Sequence, residues 1–182
     1  MAARNGTGHF GWVSRGIHWL MALALILNLG FGAWLARIEP SFSTLWMYGA
    51  HKSAGMTLLA LVLIRLAWHR VSPPPKPLTI GIAPWQYYAA RLGHWGLYAL
   101  MLAVPLSGWF ASSATGIPTV IFGRWTLPAI APASERLDQL GFWAHDALTK
   151  ALLALILIHV GAALYHALIL RDPTLRRMWR GR

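Results

Sequence analysis

The stretch that decides the fold is Phe142–Leu170, FWAHDALTKALLALILIHVGAALYHALIL. Its only charged residues, Asp146 and Lys150, lie near its start. At about 1.5 Å per residue such a helix is long enough to cross a hydrocarbon layer of about 30 Å. His145 and His159 stand inside it, fourteen residues apart. That spacing is roughly 21 Å along a helix, and fourteen steps of about 100° leave the two side chains within about 40° of each other. One helix therefore presents two imidazoles on one face, one near each leaflet.

Working outward, three more apolar stretches of spanning length appear, at residues 17–36, 49–68 and 93–111, with the fourth at 142–170. Trp19, Trp34, Trp46, Trp68, Trp95, Trp109 and Trp143 sit near their ends, as interfacial anchors do. Pro73, Pro74, Pro75 and Pro77 break the chain between the second and third, and Pro118, Pro128 and Pro132 between the third and fourth. The first stretch is longer than a signal-peptide core and has no obvious small-residue cleavage site after it, so it reads as retained. The prediction is an all-α, membrane-spanning four-helix bundle forming one integral membrane domain over residues 1–182.

Composition agrees. Of the 182 residues 57% are hydrophobic and 12% charged, about half the charged share of a soluble domain. Cysteine is absent, which excludes disulfides, thiolate metal sites, iron–sulfur clusters and covalent c-type haem. The net charge of +11 lies at the ends of apolar runs and not on a soluble basic face, so nucleic acid is not an expected partner. Arg4, Arg15, Arg65, Arg70, Lys76, Arg91, Arg171, Arg176, Arg177, Arg180 and Arg182 fall on one side, and Arg37, Lys52, Arg124, Arg136 and Lys150 on the other. By the positive-inside rule, eleven against five places both termini in the cytoplasm of a cell with an inner membrane. The Arg-rich tail then reads as a topology signal and a lipid-headgroup contact.

Eight histidines occur, of which His9 and His69 lie outside these spans and read as solvated surface residues. A ring inside the bilayer needs a partner, so His18, His51, His94, His145, His159 and His166 are candidate functional groups. His51 opens the second span and His18 the first, at depths matching His145 and His159. Zinc takes four ligands, or three and an open position, and the spans hold few carboxylates to complete such a set. Haem needs only two axial ligands and fits between the helices of a bundle. Two axial histidines leave iron no open position, which favours electron transfer over oxygen binding. Arg65, fourteen residues after His51, is placed for the propionates of an inner haem, and Lys52 and Lys150 for those of an outer one. Gly55, one turn after His51, leaves room for a flat macrocycle.

These pieces resemble the bacterial cytochrome b561 family, which is related to the cytochrome b subunits of membrane hydrogenases. The matching elements are Ser14–Arg15–Gly16–Ile17–His18–Trp19, His51–Lys52–Ser53–Ala54–Gly55, Leu92–Gly93–His94, Trp143–Ala144–His145 and His159 through His166. The resemblance implies two haem b groups, ligated by His18 with His159 and by His51 with His145, leaving His94 in a supporting or proton-handling role. His18 lies near the membrane edge while His159 is eleven residues short of Leu170, so His166 stands as an alternative partner. Its distance from His145 would be roughly 31 Å, the full hydrocarbon thickness, which favours His159. The resemblance further implies a superoxide:ubiquinone oxidoreductase, taking electrons from superoxide at the periplasmic face and passing them to ubiquinone. The alternative is a haem-carrying membrane anchor that relays electrons between a periplasmic dehydrogenase or hydrogenase and quinone.

Overall fold

In the computed structural model, residues 2–77 and 83–181 are described. Arg182, counted above in the basic tail, lies outside them. Four long helices carry the chain: α1 (Trp12–Leu35), α2 (Leu45–Val71), α3 (Pro84–Ala114) and α4 (Glu135–Tyr165). All four are long and apolar enough to cross a membrane. The apolar stretches 49–68 and 93–111 lie inside α2 and α3, 17–36 runs one residue past α1, and 142–170 covers most of α4 and the helical turn after it. The helices extend beyond the stretches because polar flanks stay helical in the headgroup region, where hydropathy no longer marks them. Two features are invisible to hydropathy. A short antiparallel hairpin, β1 (Thr119–Ile121) with β2 (Trp125–Leu127), pairs Val120 with Thr126 in the loop between α3 and α4. After α4 the chain continues as a π-helix, His166–Leu170, and closes with α5 (Thr174–Arg180).

Burial is inverted relative to a soluble protein. Leu20, Leu23, Ile26 and Leu27 of α1 and Leu153, Leu157 and Ile158 of α4 face outward, which is where lipid tails belong. The interior is thin, centred on Val62 and Leu152. α3 and α4 make the closest helix pair, α1 packs on α2, and α2 on α3. Small residues allow the first of these. A Cβ on Gly141 would stand 2.9 Å from the Cα of Ala111, and one on Gly96 2.9 Å from Leu155 Cδ2. Local signals set the ends of the helices. The Ser134 hydroxyl accepts from the Leu137 N–H at the start of α4, with Glu135 and Asp138 in its first turn against the helix dipole. Pro84 opens α3, where its missing N–H costs nothing.

Both described ends of the chain meet at one end of the bundle. The Trp19 indole donates to Met178 O at 3.1 Å, Arg15 Nη1 to Trp179 O at 2.9 Å, and the Trp19 and Trp179 rings stack edge to face at 5.1 Å. Asn5 ties the N-terminal segment to the end of α2, its N–H donating to Ser72 Oγ at 2.8 Å. The turn into α5 is held by Asp172, which accepts from His166 Nδ1 and from the Thr174 N–H. Burial alone would raise the Asp172 carboxyl, but these hydrogen bonds outweigh it and hold the group below the usual carboxylate range. We refer to this as the terminal end and to the opposite one as the hairpin end.

Candidate functional site

Two histidine pairs bridge helices at two depths. Near the hairpin end His51 of α2 faces His145 of α4, with ring centroids 6.4 Å apart and planes at 83°. Near the terminal end His18 of α1 faces His159 of α4, again at 6.4 Å, with planes at 66°. Both pairs draw one member from α4, as the fourteen-residue spacing predicts. His166 does not join the second pair, because it is engaged with Asp172 in the turn after α4. The edge position of His18 is met because the helical chain carries on from α4 through Leu170 and α5 folds back onto the start of α1.

At the hairpin end the pair is held from both sides. His145 Nδ1 lies 3.0 Å from Val104 O and 3.1 Å from Ser107 Oγ. Donating to the carbonyl puts the proton on Nδ1 and leaves the Nε2 lone pair free, the arrangement that readies a histidine as a metal ligand. Glycines make space for both rings. A Cβ on Gly32 would fall 2.7 Å from His51 Cε1, and one on Gly108 3.0 Å from His145 Cε1. Gly55, which the sequence suggested for this purpose, meets only Asn28 of α1, at 3.9 Å. Lys52 reaches across to Ser112 Oγ at 2.8 Å, and Ser112 in turn contacts Thr119 Oγ1 of the hairpin at 2.8 Å. Phe122 N–H donates to Ser53 Oγ, so the hairpin sits directly over the start of α2. Lys150 instead pairs with Asp146 at 2.6 Å on the exposed side of α4.

At the terminal end the pair has more polar company. Arg65 Nη1 approaches His18 Nδ1 at 3.2 Å and Arg65 Nε donates to Tyr98 Oη at 2.9 Å. The fourteen residues between His51 and Arg65 carry α2 from the hairpin-end pair to the terminal-end one, where the guanidinium meets His18. His94 packs edge-on against His159 at 5.4 Å. His69 corrects the sequence reading: it is not a solvated residue beyond the span but lies within α2, half-buried, with Nδ1 3.5 Å from Tyr98 Oη. Helix length, which hydropathy understated, accounts for the difference. Its partnership was legible in retrospect, since Arg65 and His69 on α2 and His94 and Tyr98 on α3 are each four residues apart and share a face. His9 is exposed, as expected.

The chain matches the description of prokaryotic cytochrome b561 over residues 9–181. The chain belongs to that family. Among its relatives, "Cytochrome b561 homolog 2" of Escherichia coli (strain K12) is 35% identical over 185 residues, covering 98% of this chain and 95% of the relative. "Probable superoxide oxidase CybB" of Yersinia pestis is 31% identical over 173 residues, covering 90% and 91%. "Cytochrome b561 homolog 1" of Escherichia coli (strain K12) is 31% identical over 169 residues, covering 89% and 92%. The cytochrome is therefore a multi-pass electron-transfer protein of the bacterial inner membrane, and its family implies b-type haem. The residues present fit that group. His51 Nδ1 is buried with no hydrogen-bond partner, leaving polar capacity that a group added to the site can use. Imidazole–metal bonds run about 2.0–2.1 Å, so two rings on one ion keep their nitrogens about 4 Å apart, and centroids at 6.4 Å leave that room. Among the described residues no group of three or more His, Cys, Asp or Glu side chains is arranged for a bare metal ion, whereas haem asks for two ligands only.

Proposed function

We propose that this cytochrome carries two haem b groups, one held by His51 with His145 and one by His18 with His159, and moves electrons from superoxide at the periplasmic face to ubiquinone. The observation that carries the reading is the equal 6.4 Å separation of two histidine pairs on one face of α4. The His94–His159 separation, 1.0 Å shorter, leaves less room for an ion between two imidazole nitrogens, so His94 is read as a neighbour of the pair. Both termini lie in the cytoplasm on this reading, by the excess of basic residues at the terminal end, and the chain works as one integral membrane domain.

Bound haem supplies reversible one-electron chemistry at each level. The chain's own residues set the conditions for it. His145 is fixed in the ligating tautomer by Val104 O, and raised ligand basicity follows from that hydrogen bond. Arginine has no acceptor, so Arg65 donates to His18 Nδ1, and a neutral His18 then carries its proton on Nε2. Ligation through Nε2 would require Arg65 to release His18, and the freed guanidinium would then be available to a haem carboxylate. Lys52 places a half-buried cation beside His51, where it attracts a small anionic donor such as superoxide. The name of the Yersinia pestis relative supports that choice of donor.

A pyridine haemochrome assay tests the cofactor count, and stopped-flow mixing with superoxide tests the donor. The expected results are two low-spin b haems per chain and haem reduction that depends on superoxide. One haem overturns one of the two pairs. Reduction only by a co-purifying periplasmic protein replaces the oxidase with the anchor-subunit reading.

A further inference from the structure

The polar row at the terminal end extends beyond what holding a haem requires. It runs from His18 through Arg65 and Tyr98 to His69. The chemistry of its members sets what each can do. Arg65 can only donate, so the Tyr98 oxygen accepts from it at 2.9 Å. The 3.5 Å contact with His69 runs either way with the histidine tautomer, and with the proton on Nδ1 His69 donates to the Tyr98 oxygen and leaves the phenol proton free to pass on. The His69 and Tyr98 rings meet edge-on at 6.0 Å. His69 is two residues from the end of α2, where Arg70 and Val71 are exposed, so the row begins where water reaches the bundle. It ends beside the inner histidine pair.

Quinone reduction needs such a row. Oxidising superoxide to dioxygen yields an electron and no proton, whereas a quinone takes up two electrons and two protons to become a quinol. An apolar span offers no water to supply them. We propose that His69 and Tyr98 deliver these protons from the terminal end of the bundle to a quinone reduced at the inner pair, an inference resting on quinone being the electron acceptor. For each proton the Tyr98 O–H bond breaks as a quinone O–H bond forms. The Tyr98 oxygen is reprotonated from His69, and His69 from water. The two electrons arrive singly, from two superoxide ions that leave as two dioxygen molecules. Electrons entering at one face and protons at the other make the turnover electrogenic.

The test uses the full-length, haem-loaded cytochrome reduced beforehand and mixed with either of two acceptors, decyl-ubiquinone or ferricyanide. Ferricyanide takes electrons without protons. The variants are His69→Gln and Tyr98→Phe, neither of which removes a haem ligand. The expected result is haem content and spectra like the wild type, unchanged reoxidation by ferricyanide, and reoxidation by the quinone slowed at least about tenfold, where positioned proton transfer contributes about 10²–10⁴-fold. Added imidazole should restore part of the His69→Gln rate, which a packing role for the ring would not allow. Wild-type rates with the quinone overturn the proposal, as does equal slowing with both acceptors, which points to the electron path. If the unaltered cytochrome gives up electrons to ferricyanide and not to the quinone, the quinone reading itself fails and takes the proposal with it.

Discussion

Gly32→Ala separates a haem pocket from an ordinary helix contact. Gly32 lies on α1 with the His51 ring directly over it, and a Cβ there falls 2.7 Å from Cε1, 3.3 Å from Nδ1 and 3.4 Å from Nε2. Carbon atoms pack at about 3.5–4.0 Å, so the ring must retreat by about 0.8 Å or more. A free ring could swing aside, but a ring pinned to iron cannot without lengthening its bond or pushing α1 from α2. Overpacking of this kind costs about 1–3 kcal/mol. Replacing glycine by alanine inside a helix returns about 0.5–1 kcal/mol. The balance is a loss of up to about 2.5 kcal/mol, at most roughly 60-fold in haem retention at the outer site. Gly30→Ala is the control, because nothing lies within 4 Å of its added Cβ and only the helix gain remains. The assay is transfer of haem to apomyoglobin, followed with redox difference spectra that distinguish the two haems. Gly32→Ala should lose one haem faster while the other stays, and Gly30→Ala should keep both. Retention of both haems at the wild-type rate in Gly32→Ala, or equal loss in the two variants, refutes the placement of the outer haem at His51.

Other expectations follow from the same geometry. His159→Ala should remove one haem and leave the other, while His166→Ala should keep two, because His166 is committed to Asp172; haemochrome quantitation of the two proteins decides between them. Gly141→Ala drives a Cβ to 2.9 Å from the Ala111 backbone, which cannot swing aside, so α3 and α4 must part, at a cost of about 1–3 kcal/mol visible as a lower midpoint in thermal loss of the haem spectrum. Asp172→Asn should loosen the turn into α5 and speed tryptic cleavage at Arg176 and Arg177 several-fold, with haem content unchanged. The pH sign for the unaltered chain follows from the lowered Asp172 carboxyl: its contribution is complete above the ordinary value of 3.8 and fades only as the pH falls through the lower folded value. Pepsin digestion of the tail across the acid range checks this, and protection lost well above pH 3.8 contradicts it.

What the sequence alone determined here is everything that depends on distance along one helix. Apolar length against bilayer thickness yields four spans, and a rise of about 1.5 Å per residue with a turn of about 100° places His145 and His159 on one face and Arg65 below His51. None of that requires knowing a neighbour. The tertiary structure decided whatever lies across helices or outside the apolar layer. Hydropathy falls silent at the headgroups, so it gave no sign of the true helix ends, the hairpin over α2, the π-helix or the returning α5. His159 and His166 are seven residues apart on one helix face; spacing from His145 favours His159, and the fold of the tail, which occupies His166 with Asp172, gives His166 a different partner. Gly32 and Gly108, the residues that admit the rings, look like any other helix glycine until the facing side chain is known. His69 stands between the two cases: its four-residue spacing from Arg65 puts it on that residue's face of α2, but its partner Tyr98 is 29 residues away on another helix, and packing sets that contact.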